Sequence, residues 1–248
     1  MQHRASRQHV VDMCRTMLER GYLKATEGNV SVRIPGHRLY AVTPSNYDYD
    51  KMRVEDICIV DFAGKHVPDE SGSELAPSIE CGMHANVYRE RPDVNAIVHN
   101  HSPSVVPFSC TGCEIKPIFH MAAFIGLGVP NWDIRDAQKG TDMLVKTAYL
   151  GEHLAKSLGK FPAVLMRGHG STVVAENIQR AVGRTIYLEQ NARMQYQAIQ
   201  LAGMTHGNIV YLDDDEVNAN ISWQNYVRSW DLWKRRALAT LEREKAAR

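Results

Sequence analysis

Apolar and polar positions change period along the chain, and each change marks an element. Val10, Val11, Cys14, Met17 and Leu18 fall at i, i+1, i+4, i+7 and i+8, one apolar face of a helix. Gly28-Asn29 interrupts that pattern. Val30, Val32 and Ile34 then alternate with Ser31 and Arg33, the period of a half-buried strand. Residues 39–42 and 57–62 read as two further strands, the second closed by a turn at Ala63-Gly64. Ser78, preceded by Pro77, stands where an N-cap belongs for a helix running to about Arg89, with Ile79, Met83 and Val87 four apart. Arg91-Pro92-Asp93 ends it. The compact apolar run Ala96-Ile97-Val98 predicts a buried strand. Ser102-Pro103 predicts a capped helix start with proline in the first turn. Residues 142–158 form an amphipathic segment that stops at Gly159, a helix with a glycine terminator. Strands are expected at 163–166 and 172–175 around Gly168-His169-Gly170, a long helix at 178–201, and helix again after Asp213-Asp214-Asp215.

Some of these strands follow one another too closely for a crossover helix between them, which predicts a mixed α/β sheet instead of a doubly wound one. No repeat of ~20–50 residues is visible, and no Pro/Gly/Ser linker divides the chain. One domain over residues 1–248 is expected, with a C-terminal helical extension from about residue 213. Composition adds exclusions. Hydrophobic residues make 44% and charged residues 23% of 248, close to the globular average, which excludes wholesale disorder. A formal net charge of +1 lacks the basic excess of a nucleic-acid binder. No apolar run approaches a membrane span, and the opening MQHRASRQHVVDM has no signal core, so a cytoplasmic protein is expected. Cysteines 14, 58, 81, 110 and 113 are odd in number and scattered, against a disulfide framework. Cys110-Thr-Gly-Cys113 is a lone CxxC with no second pair, which weighs against zinc or redox use.

The histidines carry more. His99 and His101 end the 96–98 strand at i and i+2, so both project from one face. Glu80 and His84 lie one turn apart on the preceding helix, which places His84 to hydrogen-bond that carboxylate. His169, between two glycines after another strand, offers a third imidazole. Three neutral histidines with an open position make a catalytic-metal arrangement. His-x-His also arises by chance, and a Gly-His-Gly turn needs no metal, so spacing alone leaves both readings open.

Five segments occur together in order: Gly28-Asn29-Val30-Ser31-Val32-Arg33, Thr43-Pro44-Ser45, Pro77-Ser78-Ile79-Glu80, Arg91-Pro92-Asp93-Val94 through His99-Asn100-His101, and Arg167-Gly168-His169-Gly170. The series, over roughly residues 8–202, resembles the class II aldolase/adducin family. The resemblance implies a three-layer α/β/α fold with a central, mostly antiparallel sheet, and C4-type homotetramers with active sites between neighbours. It implies one divalent ion per subunit on His99, His101 and His169. It implies Glu80 as acid/base, and as a metal ligand when substrate is absent. Imidazole accepts Zn2+ and Mn2+ alike.

Pro117 to Ala122, Trp132 to Asp136, Thr141 to Val145 and Leu165 to Gly170 are more similar to the branch that decarboxylates hydroxypyridine and hydroxyaromatic dicarboxylates than to the sugar-phosphate aldolases. Asn46 stands where a glycine is frequent, and Ile79 where a second phosphate-binding serine is common; isoleucine offers a phosphate no hydrogen bond. Asn29, Thr43 and Ser78 keep a polar anion pocket that a carboxylate fills equally well. The expected activity is therefore that of a metal-dependent carbon–carbon lyase, decarboxylating a small hydroxylated aromatic or pyridine (di)carboxylate through a metal-stabilised, enolate-like intermediate. The alternatives are a class II aldolase cleaving a sugar phosphate and a non-catalytic adducin-like interaction domain, which would need none of the four site residues. Arg167 is a candidate partner for a substrate carboxylate or one half of a structural ion pair. His120 is a candidate donor to substrate or a satisfied core histidine. Glu189 and Arg193, at i and i+4, are placed to stabilise their helix. Trp223, Tyr226, Val227, Trp230 and Trp233 form an aromatic stripe if one helix carries them, either packed on its own subunit or completing a neighbour's site beside the basic run Lys234-Arg235-Arg236.

Overall fold

The computed structural model describes residues 2–23, 27–68 and 75–246. Seven strands form one sheet: β1 (Asn29–Arg33), β2 (Leu39–Val42), β3 (Cys58–Asp61), β4 (Ala96–Asn100), β5 (Asn131–Trp132), β6 (Ala163–Met166) and β7 (Gly170–Ala175). Their order is β3-β2-β1-β4-β7-β6-β5, antiparallel throughout except for the β5–β6 pair. The helices are α1 (Arg4–Glu19), α2 (Cys81–Glu90), α3 (Val106–Thr111), α4 (Ala148–Leu158), α5 (Ile178–Thr205), α6 (Asp214–Ile221) and α7 (Val227–Ala246).

Strand alternation sorts the core into layers. Ala96 and Val98 of β4 join Val30 and Val32 of β1 under α1, α5 and α7. Ile97, one residue out of phase, joins Val60, Val164 and Val174 under α2 and α4. A third apolar cluster seats α3 and a 3-10 segment, His120–Leu127, against β6, β7 and α5. The result is the expected three-layer α/β/α arrangement around a mostly antiparallel sheet.

Four helix predictions shift. Ser78 is not the cap of α2: its carbonyl accepts the Cys81 N–H at 2.9 Å in a turn, and the helix begins at Cys81 with Glu80 at the capping position. The Ser102 carbonyl accepts from Val105 and Val106, so that α3 begins only at Val106, with Pro107 in its first turn. Residues 142–146 are not helical; α4 starts at Ala148, capped by the Thr147 hydroxyl. The C-terminal stripe is broken, because Tyr226 has φ +56° and α7 starts at Val227. Tyr226, Trp230 and Trp233 are buried within this chain, while Trp223 and Val227 are exposed. Glu189 also does not pair along its helix; its carboxylate accepts the Ser104 N–H at 3.1 Å, 85 residues away in sequence. No helix among the described residues is long and apolar enough to cross a membrane.

Candidate active site

β4 delivers His99 and His101 to the α2 face of the sheet, as their i, i+2 spacing requires. The β6–β7 turn delivers His169 to the same place. Gly170 makes that approach possible: a Cβ there would lie 2.1 Å from the Asn100 carbonyl oxygen, so no other residue lets β7 lie so close to β4. Gly168 turns the chain with φ +65°, and its N–H is held by the Ser109 hydroxyl at 2.9 Å.

The three imidazoles converge through their Nε2 atoms. His101 Nε2 lies 3.2 Å from His99 Nε2 and 3.1 Å from His169 Nε2. The His99 Nδ1–H donates to the Ser171 carbonyl at 3.1 Å, so the neutral ring turns a bare lone pair into the cluster. The Glu27 carboxylate faces His101 Nδ1 at 3.8 Å, on the side away from the cluster. Glu80 Oε2 completes the group, 3.3 Å from His99 Nε2 and 4.0 Å from His169 Nε2, while Oε1 accepts the Val145 N–H at 3.0 Å. Lone pairs aimed at one another repel unless a cation lies between them. Two nitrogens each about 2.0–2.1 Å from one tetrahedral ion lie about 3.3 Å apart, close to the separations seen. The donor set therefore fits a divalent cation.

Electrostatics agree. Burial, then the neighbouring His99, pushes His101 and His169 down to about 4, which leaves both neutral near pH 7, the form that ligates a metal. Burial raises the Glu80 carboxyl, but the neighbouring imidazoles of His99 and then His169, with the Val145 N–H, outweigh it and hold it well below the usual carboxylate range. The pocket favours positive charge beside this carboxylate. His99 is wholly buried, whereas the His101 side chain is 32% exposed, so the cluster opens to solvent past His101.

The other predicted residues divide. Asn29, Thr43 and Ser78 come together: the Thr43 N–H donates to the Val30 carbonyl, next to Asn29, and the Thr43 carbonyl accepts from the Ser78 N–H at 3.1 Å. Asn29 pairs directly across from His99. Arg167 is committed to Asp133, Nε to Oδ2 at 2.8 Å, the ion-pair alternative of the sequence reading. His120 is exposed, its ring 6.3 Å from that of Trp223, and no contact among the described residues links it to the histidine cluster. His84 does not bond Glu80; wholly buried, it bonds Ser31 and Asn29. Sequence reasoning missed the Ser171 carbonyl and the Val145 N–H, backbone groups that carry no residue-type signal. It also missed Ser31 and Tyr88, whose hydroxyls are visible only once α2 is laid on β1.

The profile of the Class II Aldolase and Adducin N-terminal domain matches residues 8–196. The chain is 34% identical over 176 residues to decarboxylase tropJ of Talaromyces stipitatus, covering 63% of this chain and 66% of that protein. It is 31% identical over 192 residues to the 5-deoxy-D-ribulose 1-phosphate aldolase of Bacillus thuringiensis serovar kurstaki, covering 77% and 84%. With the 3,4-dihydroxyphthalate decarboxylase of Arthrobacter keyseri it shares 29% identity over 205 residues, 81% and 82% of the two chains. The solved structure of an L-fuculose 1-phosphate aldolase superposes with a TM-score of 0.68 at 27% identity, covering 87% and 94%.

Proposed function

This chain belongs to the class II aldolase and adducin N-terminal domain family of aldolases and decarboxylases, and from that premise we propose that it is a divalent-metal-dependent carbon–carbon lyase that decarboxylates a hydroxylated aromatic or pyridine dicarboxylate. The observation that carries the metal-lyase reading is the convergence of three imidazole Nε2 atoms and one carboxylate oxygen in one cluster. His99, His101 and His169 would hold the ion, Zn2+ or Mn2+. When bound, it supplies a Lewis acid that stabilises the negative charge developing as the carbon–carbon bond breaks. Glu80 moves the protons: its carboxylate takes the proton of the ring hydroxyl and returns it to the neighbouring ring carbon, which becomes tetrahedral. The bond to the carboxylate then breaks, CO2 leaves, and the electron pair restores the aromatic ring as a phenolate that solvent protonates. Asn29, Thr43 and Ser78 hold the second carboxylate. The buried sheet face excludes water from the side opposite His101.

The choice of a ring acid rests on Ile79, 52% exposed immediately before Glu80, where a phosphate site would use a hydroxyl. Asn46, at φ +51°, keeps the left-handed turn a glycine would make, but adds a side chain there. The polar trio Asn29, Thr43 and Ser78 favours the second reading, a sugar-phosphate aldolase. A homotetramer is supported by exposed apolar residues at the end of α5 and beyond it, Leu201, Met204 and Val210. The test is CO2 release over a panel of hydroxybenzene and hydroxypyridine dicarboxylates, with fuculose phosphate and deoxyribulose phosphate assayed for cleavage beside them. Faster cleavage of a sugar phosphate than of any ring acid reverses the assignment.

A further inference from the structure

Beside the histidine cluster lies a second set of buried polar groups, of which the proposed chemistry uses Asn29 alone. Asn29 and Ser31 occupy one face of β1, opposite His99 and Ile97 of β4. α2 lays His84 and Tyr88, one turn apart, over them. Tyr88 Oη is 2.8 Å from Ser31 Oγ, Ser31 Oγ is 2.6 Å from His84 Nδ1, and His84 Nε2 is hydrogen-bonded to Asn29 Oδ1. All four residues are almost wholly buried.

We infer that these groups form a one-way hydrogen-bond relay that fixes the Asn29 amide, with its NH2 turned away from His84, as an obligatory donor to an oxyanion of the substrate. Ser31, His84 and Tyr88 are positioning residues, acting only through Asn29. The inference rests on the proposal that Asn29 faces substrate, and deepens it.

The direction follows from counting protons. Each hydroxyl has one, and the neutral imidazole of His84 has one. From Tyr88 inward, the Tyr88 O–H donates to Ser31, the Ser31 O–H to His84 Nδ1, and the Nε2–H to Asn29 Oδ1. Every proton finds an acceptor. Reversed, the Asn29 amide would donate to Nε2, Nδ1–H to Ser31 and the Ser31 O–H to Tyr88. The Tyr88 O–H would then have no acceptor among the described residues, in a site where Tyr88 is 1% exposed. A buried donor without an acceptor carries its full desolvation penalty. The relay therefore runs from Tyr88 to Asn29. No hydrogen bond among the described residues takes up the Asn29 NH2, and its site on β1, across from His99, gives it to the substrate side. Asn29 can give a hydrogen bond there but cannot take one. It can serve a carboxylate or phosphate oxygen there and rejects an ammonium, which has no lone pair to offer.

Two measurements test this. In 15N-histidine-labelled wild-type protein, NMR should show His84, assigned by its loss in His84→Gln, protonated at Nε2 and bare at Nδ1. The opposite tautomer overturns the relay whatever the enzyme's substrate. In the second, kinetics use whichever compound of the panel is turned over. Asn29→Asp keeps the shape and replaces the NH2 by a second carboxylate oxygen. KM should rise about tenfold or more, and by more than kcat falls, the scale of one lost hydrogen bond to a charged group plus repulsion. An unchanged KM would mean an oxygen already faced the substrate, and overturns the inference. His84→Leu should raise KM similarly, and His84→Gln, whose amide N–H can reach Asn29, should restore most of it. Equal losses of kcat and KM in Leu and Gln variants would leave His84 a merely structural role and overturn its positioning one. If a sugar phosphate is turned over in place of the ring acids, the decarboxylase reading falls, while the Nε2–H tautomer and the Asn29→Asp effect on that phosphate still support the relay.

Discussion

At the scale of single residues, a lone pair in this site is informative because something else has already used the other nitrogen or oxygen. The Ser171 carbonyl takes the His99 Nδ1 proton, and the Val145 N–H takes one oxygen of Glu80. What is left points inward. Replacing His101, the most exposed of the three rings, by alanine should lower metal affinity by at least about 10–100-fold, since losing even an outer partner of a ligand has that effect. Metal content by elemental analysis and activity should fall together; full occupancy in His101→Ala removes that ring from the site. Glu80→Gln preserves shape and the Val145 contact but cannot titrate. Turnover should fall ~10²-fold or more while the metal is retained, and unchanged turnover assigns the proton transfers elsewhere. The residues of this site were legible because their types are scarce and their spacing geometric: i, i+2 on a strand is same-face whatever the register. Their orientation was not legible. It depends on backbone groups and on pairs such as His84 with Asn29, 55 residues apart, which nothing local announces.

Among the elements, strands were read well because their apolar runs are compact and bounded by turns. Burial itself does not alternate, since β4, β6 and β7 are buried on both faces, and β1, expected to be half-buried, hides Ser31 as fully as Val30. Helix starts were read less well. Residues 142–146 carry an amphipathic pattern, yet the Val145 N–H is needed by Glu80, 65 residues away, so the long-range bond outcompetes the local turn. β5 is two residues long and parallel to β6, too short to show a period. The C-terminal stripe fails as one helix face because the chain breaks at Tyr226, yet its inner half is structural. Trp230 and Trp233 join the core under α1, and Lys234 holds the buried Asp12 of α1 at 2.6 Å. Trp230→Ala should therefore cost about 3–5 kcal/mol of stability, read from urea unfolding with the kinetics of the surviving native protein unaltered. A loss below about 1 kcal/mol would place the Trp230 ring outside the core.

For the molecule as a whole, the metal proposal makes stability depend on a ligand. An ion that binds the native state at a hundredfold excess over its dissociation constant adds about 2.7 kcal/mol. Chelation should then lower Tm by about 5–10 °C and re-addition of Zn2+ or Mn2+ restore it. An identical melting curve with and without chelator argues against a resident ion. The bare Cβ position of Gly170 has a further consequence, for folding. His101 and His169 are 68 residues apart in sequence, and only the pairing of β7 on β4 brings them within 3.1 Å. Before that pairing the chain offers an ion the His99–His101 pair alone, with the third ring at the far end of an unclosed loop. Closing such a loop is an entropic cost that local contacts do not repay. The complete binding set thus comes into being late, when the centre of the sheet zips. On the metal proposal, uptake of the ion would therefore report the end of folding, and an ion supplied early would find no complete site around which to nucleate it.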